Sequence, residues 1–341
     1  MGLNTPRVFV PNFNRKVSGV TATVRRLVPL QSKQIELVVF GDQVADLPSV
    51  QSRWRALYGV LRSNDTVVWH ARRNTEMLLG VVLRWIKGDK LRLLFTSAAQ
   101  RNHSAYTRWL IRQMDKIVAP CHASASYIPY REVEVIHHGV DLAEFHYTPR
   151  SPSASLTIAQ VGRVRAQKGT DVLVDAVLPL LQQNTQLRLK LVGLITPEHQ
   201  VFADEQRKKI ESAGVETQVD WVDGLAWSEL KALYASADLL VACPRNEGFG
   251  LTPLEAMASG APVVVSEAGA FADMVDDGVH GRIVPIEDVS ALREAIGWML
   301  DDDARRAACA ERAYERVQRQ FDVEVEALRL VEVYRQLLDV N

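Results

Sequence analysis

Two glutamates eight positions apart, Glu247 and Glu255, lie in the run from Pro244 to Pro262, with glycines at 248 and 250 between them. A carboxylate on a glycine-rich loop adds charge without core packing, yet it is a bidentate acceptor suited to sugar hydroxyls. Gly248 and Gly250 permit close backbone approach and positive φ. Behind them, Thr252 as N-cap, Pro253 as N1 and Glu255 as N3 start a helix. The free N–H groups and positive dipole end of that helix suit a diphosphate. Thr252-x-x-Glu255 also reads as a capping box that needs no ligand, but capping leaves Glu247 and the glycines unexplained. Upstream, Gly162, Arg163, Lys168 and Gly169 follow a strand-like run. Arg163 and Lys168 at a strand's carboxyl end can stabilise charge building on a leaving nucleoside diphosphate. Arg165 reads as an exposed loop charge.

The segment from Glu247 to Glu255, continuing Ala-Met-Ala-Ser-Gly-Ala-Pro-Val-Val, resembles the E-x7-E signature of retaining GT-B glycosyltransferases of family 4. The resemblance spans nearly the whole chain and is strongest from about 161 to 285. It implies that Glu247 binds donor-sugar hydroxyls and Glu255 the nucleotide ribose. Backbone amides of Gly248, Phe249, Gly250, Leu251 and Thr252 then meet sugar and phosphates. Gly162-Arg163 through Lys168-Gly169 resembles the family's G-R-x-x-x-x-K-G segment, whose Arg and Lys neutralise the pyrophosphate. Gly224, in Trp221-Val-Asp-Gly224, matches a glycine turn beside the nucleotide base. Gly19, in Lys16-Val-Ser-Gly-Val20, matches a loop that closes over the donor phosphates. A glycine before a helix also serves as a plain turn.

Where many relatives carry a catalytic His after the strand at 91–96, this chain reads Thr96-Ser-Ala-Ala-Gln-Arg-Asn-His103. Gln100 or His103 takes that place, or neither does. His137-His138-Gly-Val-Asp141 stands where relatives show Asn-Gly-Val-Asp; the His pair invites a metal, but no third ligand is apparent. The run from Phe95 to Ser104 together with Met114-Asp115 is similar to bacterial lipopolysaccharide-core mannosyltransferases, the sole warrant for mannose. The resemblance implies hexose transfer from GDP-mannose or another nucleotide sugar to a saccharide or lipid-linked hydroxyl, with retention and no obligatory metal or other cofactor. A sugar-nucleotide epimerase or phosphorylase, or a non-catalytic sugar-nucleotide-binding module, fits the same motifs less fully. A nicotinamide dehydrogenase is disfavoured because no G-x-G-x-x-G follows the first strand.

Positioning these residues requires two α/β domains. Apolar runs of four to six residues alternate with helical stretches, the pattern of mostly parallel sheets. Strands are expected at 7–11, 36–40, 66–70, 91–96, 116–119 and 133–137, then at 156–161, 188–192, 218–222, 239–242, 262–266 and 281–284. Helices are expected at 19–30, 53–62, 75–87 and 104–113. The Pro/Ser stretch 148–155 disfavours helix and marks a linker. The reading is thus α/β, GT-B: an acceptor-binding Rossmann-like domain over 1–150, a nucleotide-sugar domain over 151–322, and a helix over 323–341 returning to the first. The donor lies in the cleft between the domains, at the strands' carboxyl ends.

At 341 residues the chain exceeds a comfortable single core. Its three scattered cysteines form no CxxC pair, which fits a reducing compartment and argues against a zinc knuckle. No apolar run reaches the roughly 18–20 residues a membrane span needs, and the opening residues resemble no signal peptide, so a cytoplasmic protein is expected. The near-neutral net charge hides an asymmetry: residues 1–150 carry 21 basic against 11 acidic side chains, and the rest balances to −11. Either helix faces differ by chance, or the first half meets an anionic partner. Basic residues there, His70, Arg72, Arg73, Arg101, Arg108 and Arg112, interleave with Trp85 and Trp109. That suits phosphorylated acceptors or an anionic membrane surface; no nucleic-acid recognition motif accompanies them.

Overall fold

The computed structural model describes residues 7–15, 18–149 and 155–339; Lys16 and Val17 of the expected phosphate loop, and 150–154 of the expected linker, lie outside them. The chain divides into two compact units, Met1–His138 with Val323–Asn341, and Gly139–Asp322. The first holds strands β1 (Val8–Asn12), β2 (Leu37–Gly41), β3 (Val67–Ala71), β4 (Leu91–Thr96), β5 (Lys116–Ala119) and β6 (Glu134–Val135), all parallel, in the order β2-β1-β3-β4-β5-β6. The second holds β7 (Leu156–Val161), β8 (Leu187–Val192), β9 (Val219–Val222), β10 (Leu239–Ala242), β11 (Val263–Ser266) and β12 (Gly281–Val284), again parallel. Its order is β9-β8-β7-β10-β11-β12. Counted within the unit that is 3-2-1-4-5-6, the dinucleotide-binding order, with its switch point between β7 and β10.

These strands read as continuous apolar runs because helices cover both sheet faces. β1 and β3 are buried at every residue, and so are β10's first three. Helix Thr170–Gln183 buries Val172, Leu173, Val174, Ala176, Val177 and Leu181 against the second sheet, in one core with Leu189, Leu191, Leu239 and Val241. The chain passes between units at His138–Gly139, ahead of the Pro/Ser stretch. Residues beyond 138 are held by the second unit's packing: Phe145 meets Trp227 and Tyr234 edge-on at 5.5 and 6.0 Å. Glu144 pairs with Lys231 at 2.7 Å, and Thr148 donates its backbone N–H to Ser259 O at 3.3 Å.

The C-terminal helix, Val323–Asp339, packs on the first unit. Its Leu330, Val331 and Tyr334 share a core with Val24, Leu27 and Val28 of helix Gly19–Gln31. Polar ties fix its register: Glu326 accepts from His138 Nδ1 at 2.7 Å and lies 3.7 Å from Arg26. His138 is thereby engaged in a structural hydrogen bond, and His137 Nδ1 lies 3.0 Å from Pro120 O. Among the described residues no helix is long and apolar enough to cross a membrane.

His70 is not a surface residue, contrary to the sequence expectation. It is fully buried on central strand β3, with Nδ1 2.7 Å from Tyr334 Oη and Nε2 2.7 Å from Thr96 Oγ1. Burial, with Arg72 nearby, holds its pKa well below the usual histidine range. The unfolded chain therefore binds more protons once pH drops below about 6.5, and stability declines by up to about 1.4 kcal/mol per pH unit from this residue. Half-buried His103 and buried His280 shift the same way, desolvation leading in each. Urea unfolding of wild type and His70→Asn between pH 7.5 and 5.5 is expected to give a shallower pH slope for the variant; equal slopes would refute the assignment.

Candidate active site

The second unit's switch point brings together two loops, one after β7 and one after β10. Gly162 closes β7 with φ +143, donating its N–H to Val192 O at 2.9 Å. A 3-10 turn, Ala166–Lys168, follows, and Gly169 (φ +70) then enters helix Thr170–Gln183. After β10, Cys243 is buried, its thiol pushed up to about 12 by burial and then by Asp171. It donates to Gly169 O at 3.3 Å, so it is a packing thiol rather than a nucleophile.

The two loops are tied to each other. Arg245 makes a bidentate pair with Asp171 at 2.8 and 2.9 Å, binds Glu287 at 2.5 Å and also donates to Ala166 O. Its backbone N–H donates to Gln167 O at 2.9 Å, and Gln167 Nε2 returns a bond to Asn246 O at 3.1 Å. Hydrogen bonds to the two carboxylates keep the Arg245 pKa above its ordinary value. Such bidentate pairing fixes geometry as well as charge. The consequence is that Lys168 and Glu247 meet: Lys168 Nζ donates to Glu247 Oε2, and Glu247 Oε1 accepts from the Gly248 N–H at 3.0 Å. The two side chains keep 26% and 19% exposure, so the pair is reachable and exchangeable rather than a core bridge.

Gly250 fits only as glycine. Its φ is +76, and a Cβ would lie 2.7 Å from Phe271 Cε1 and 2.8 Å from Glu247 Cγ. Gly248 lacks positive φ and has open space at its Cβ position. A small cavity of about 20 Å³ is lined by Lys168, Glu247, Gly250, Thr252, Gln160 and Phe271. Thr252 is not the N-cap: helix Thr252–Ala258 is capped by Leu251 without a side-chain hydrogen bond, so the capping box does not form. Glu255 instead accepts from Tyr234 Oη at 2.9 Å. Tyr234 is fully buried, and burial, then Glu255, raises its pKa well above the usual tyrosine value. It stays a proton donor and aims the carboxylate.

Of the sequence-predicted residues, Lys168, Glu247, Gly250 and Thr252 therefore converge. Phe249 is 9% exposed, and Leu251 caps the helix behind it. Gly224 (φ +90) turns the chain just after β9. Arg163 is exposed at the mouth of the β7 loop, outside the cavity lining. Sequence reasoning missed Arg245, Tyr234, Phe271 and Gly269. Gly269 has φ +65, and a Cβ there would come 2.6 Å from Glu247 O. A glycine just past a strand was the available signal for it; nothing local marks Tyr234.

In the first unit, Gly19 begins helix Gly19–Gln31, capped by Ser18, with open space around its Cα. His103 lines a cavity with Arg72, Arg73 and Arg101, whereas Gln100 Nε2 donates to Cys121 Sγ at 3.5 Å. Arg108 and Arg112 are exposed on helix Ala105–Arg112, the latter 5.3 Å over the Tyr130 ring.

Two parallel Rossmann-like units, each with a crevice at the carboxyl ends of its strands, are the architecture of the GT-B fold. Residues 144–316 match the model of the family described as glycosyl transferases group 1. The lipopolysaccharide core biosynthesis mannosyltransferase LpcC of Rhizobium leguminosarum bv. viciae is 41% identical over 98% of this chain and 97% of its own. The lipopolysaccharide core biosynthesis mannosyltransferase LpsB of Rhizobium meliloti (strain 1021) is 36% identical over 97% of each. The crystal structure of Anabaena Alr3699/HepE in complex with UDP shares the fold with a TM-score of 0.79 at 20% identity, covering 97% of this chain and 100% of that one. The chain belongs to the glycosyl transferases of group 1.

Proposed function

We propose that the chain transfers mannose from GDP-mannose to an acceptor hydroxyl with retention, in the synthesis of lipopolysaccharide core or another cell-surface glycan. The observation that carries this reading is the Lys168–Glu247 pair, held at the switch point by Arg245 and Gly250. On donor binding the two partners separate their duties. Glu247 turns to the sugar hydroxyls, and Lys168, with Arg163 at the loop's mouth, takes the diphosphate. Glu255, aimed by Tyr234, accepts from the ribose, and the amides from Gly248 to Thr252 face sugar and phosphate. Gly162 and Gly224 leave room for the nucleotide, and Gly19 for a loop over its phosphates. The cations offset charge on the departing diphosphate, so the step needs no metal. Mannose and the core acceptor rest on similarity to the two Rhizobium enzymes.

Thermal stabilisation by GDP-mannose, GDP-glucose and UDP-glucose tests the donor: a ligand at 100 times its Kd adds about 2.7 kcal/mol. Stabilisation by the UDP sugar alone would overturn GDP-mannose. Conversion of donor without acceptor would replace transfer by epimerisation, and the anomeric coupling of the product reads retention directly.

We further infer that the first unit works against the anionic cytoplasmic face of a membrane. Trp54, Trp85 and Ile86 are 84%, 75% and 70% exposed, on helices that also carry Arg53, Arg55, Arg62, Arg84 and Lys87. Exposed indole beside guanidinium suits a headgroup boundary. Cosedimentation with phosphatidylglycerol vesicles, unchanged in a Trp54→Ala/Trp85→Ala variant, would remove this assignment.

A further inference from the structure

The first unit has a switch point of its own, where the sheet order reverses between β1 and β3. There a cavity of about 690 Å³ opens at the carboxyl ends of β3 and β4, lined among others by Arg72, Arg73, Ser97, Arg101, Asn102 and His103. Among the described residues no Asp or Glu lines it. That volume falls within the roughly 300–1,000 Å³ of small-molecule sites.

The charges around it do not balance. Arg73 is compensated: its guanidinium lies 2.8 Å from Glu76 Oε1, and fully buried Glu76 also accepts from the Phe13 and Arg72 backbone N–H groups at 3.0 and 2.7 Å. Arg72 is different. It is only 8% exposed, yet among the described residues no carboxylate pairs with it, and its Nη1 has no hydrogen-bond partner. Its guanidinium hydrogen-bonds to the Tyr334 hydroxyl and stands beside the His70 ring, neither of which carries a counter-charge. Ser97, 1% exposed, has an unpartnered Oγ, and His103 Nε2 is likewise orphaned. Arg101, exposed at the rim, makes no ion pair among the described residues. A buried guanidinium without a counter-charge costs several kcal/mol, and orphaned polar atoms add to that. Every orphan here can donate, and among the described residues lining the cavity no carboxylate competes.

We propose that this cavity binds an anionic group, a carboxylate or phosphate ester, carried by the sugar that accepts the hexose. Arg72 and Arg101 supply the charge, and Ser97 and His103 supply neutral donors. Calling the occupant the acceptor rests on the transferase reading; anion binding itself does not.

Calorimetric titration of the full chain with glucuronate, glucose 6-phosphate and glucose tests it. One or both anions should bind measurably better than glucose, the stronger of the two naming the group as carboxylate or phosphate. Arg72→Gln and Arg101→Gln should each weaken that binding at least about tenfold, the loss expected for a charge-assisted hydrogen bond, while GDP-mannose binding is unchanged. Since Arg72 is buried, its variant can misfold; exposed Arg101 then decides. Anions binding no better than glucose, or Arg101→Gln binding them as wild type does, would overturn the site. Anion binding without any nucleotide-sugar binding would keep the site and remove the transferase reading instead.

Discussion

Glu247→Ala is expected to fold normally and to transfer hexose at least about a hundredfold more slowly than wild type. The rate effect follows from position. Among the described residues Glu247 is the only carboxylate lining the cavity between the β7 and β10 loops, and its Oε1 is already preoriented by the Gly248 N–H. A group that positions the reacting sugar contributes through orientation, and losing one preorganised contact of this kind costs roughly 10² to 10³ in kcat. The stability effect is small, because the Lys168–Glu247 pair is partly exposed and such pairs contribute about 0–1 kcal/mol. On the proposed reading Lys168→Ala removes the cation that meets the diphosphate and should lower kcat comparably, whereas Glu247→Gln keeps hydrogen-bonding capacity and should retain more activity than the alanine variant. Steady-state kinetics with GDP-mannose beside a thermal melt separate these effects. A Glu247→Ala enzyme with near-normal kcat and an unchanged melt would refute the assigned role.

How much of this was legible beforehand depended on whether the information was local. All twelve strands fall where apolar runs predicted them, within a few residues, because parallel strands buried on both faces leave an unbroken apolar trace. The helix over the last residues was readable from its apolar spacing, and its docking on the first unit followed from the resemblance. What local pattern does not carry is the non-local contact. That Lys168 and Glu247 converge followed from the resemblance; their direct pairing joins positions 79 apart and depends on strand order, which periodicity does not carry. Glu255 satisfied a capping-box pattern, but helix entry one residue earlier made Leu251 the cap, and a tyrosine 21 positions away claimed the carboxylate. His70 looked like part of a basic surface because its neighbours are arginines; its own place on a central strand put it in the core. Arg72 shows the reverse, since the missing counter-charge that makes it informative is a property of its surroundings alone.

Gly169→Ala is expected to destabilise the second unit by roughly 2–5 kcal/mol, through two separable causes. The backbone there is left-handed, with φ +70 and ψ 24, which costs an L side chain about 1–2 kcal/mol. The added Cβ would also stand 1.9 Å from the carbonyl oxygen of Cys243 and 3.1 Å from its Sγ. That carbonyl belongs to the backbone leaving β10, so relief requires moving the loop that carries Arg245 and Glu247; overpacking of this sort costs a further 1–3 kcal/mol or so. Gly214 provides the control, since its φ is +69 but a Cβ would meet nothing within 4 Å. Gly214→Ala should therefore lose only the conformational part. Urea unfolding of both variants measures the difference, and kcat of the surviving Gly169→Ala protein should fall while that of Gly214→Ala should not. Equal losses at the two positions would mean that close approach of the β7 and β10 loops is not what glycine provides at 169, and that the loops tolerate separation without losing the geometry of the lysine–glutamate pair.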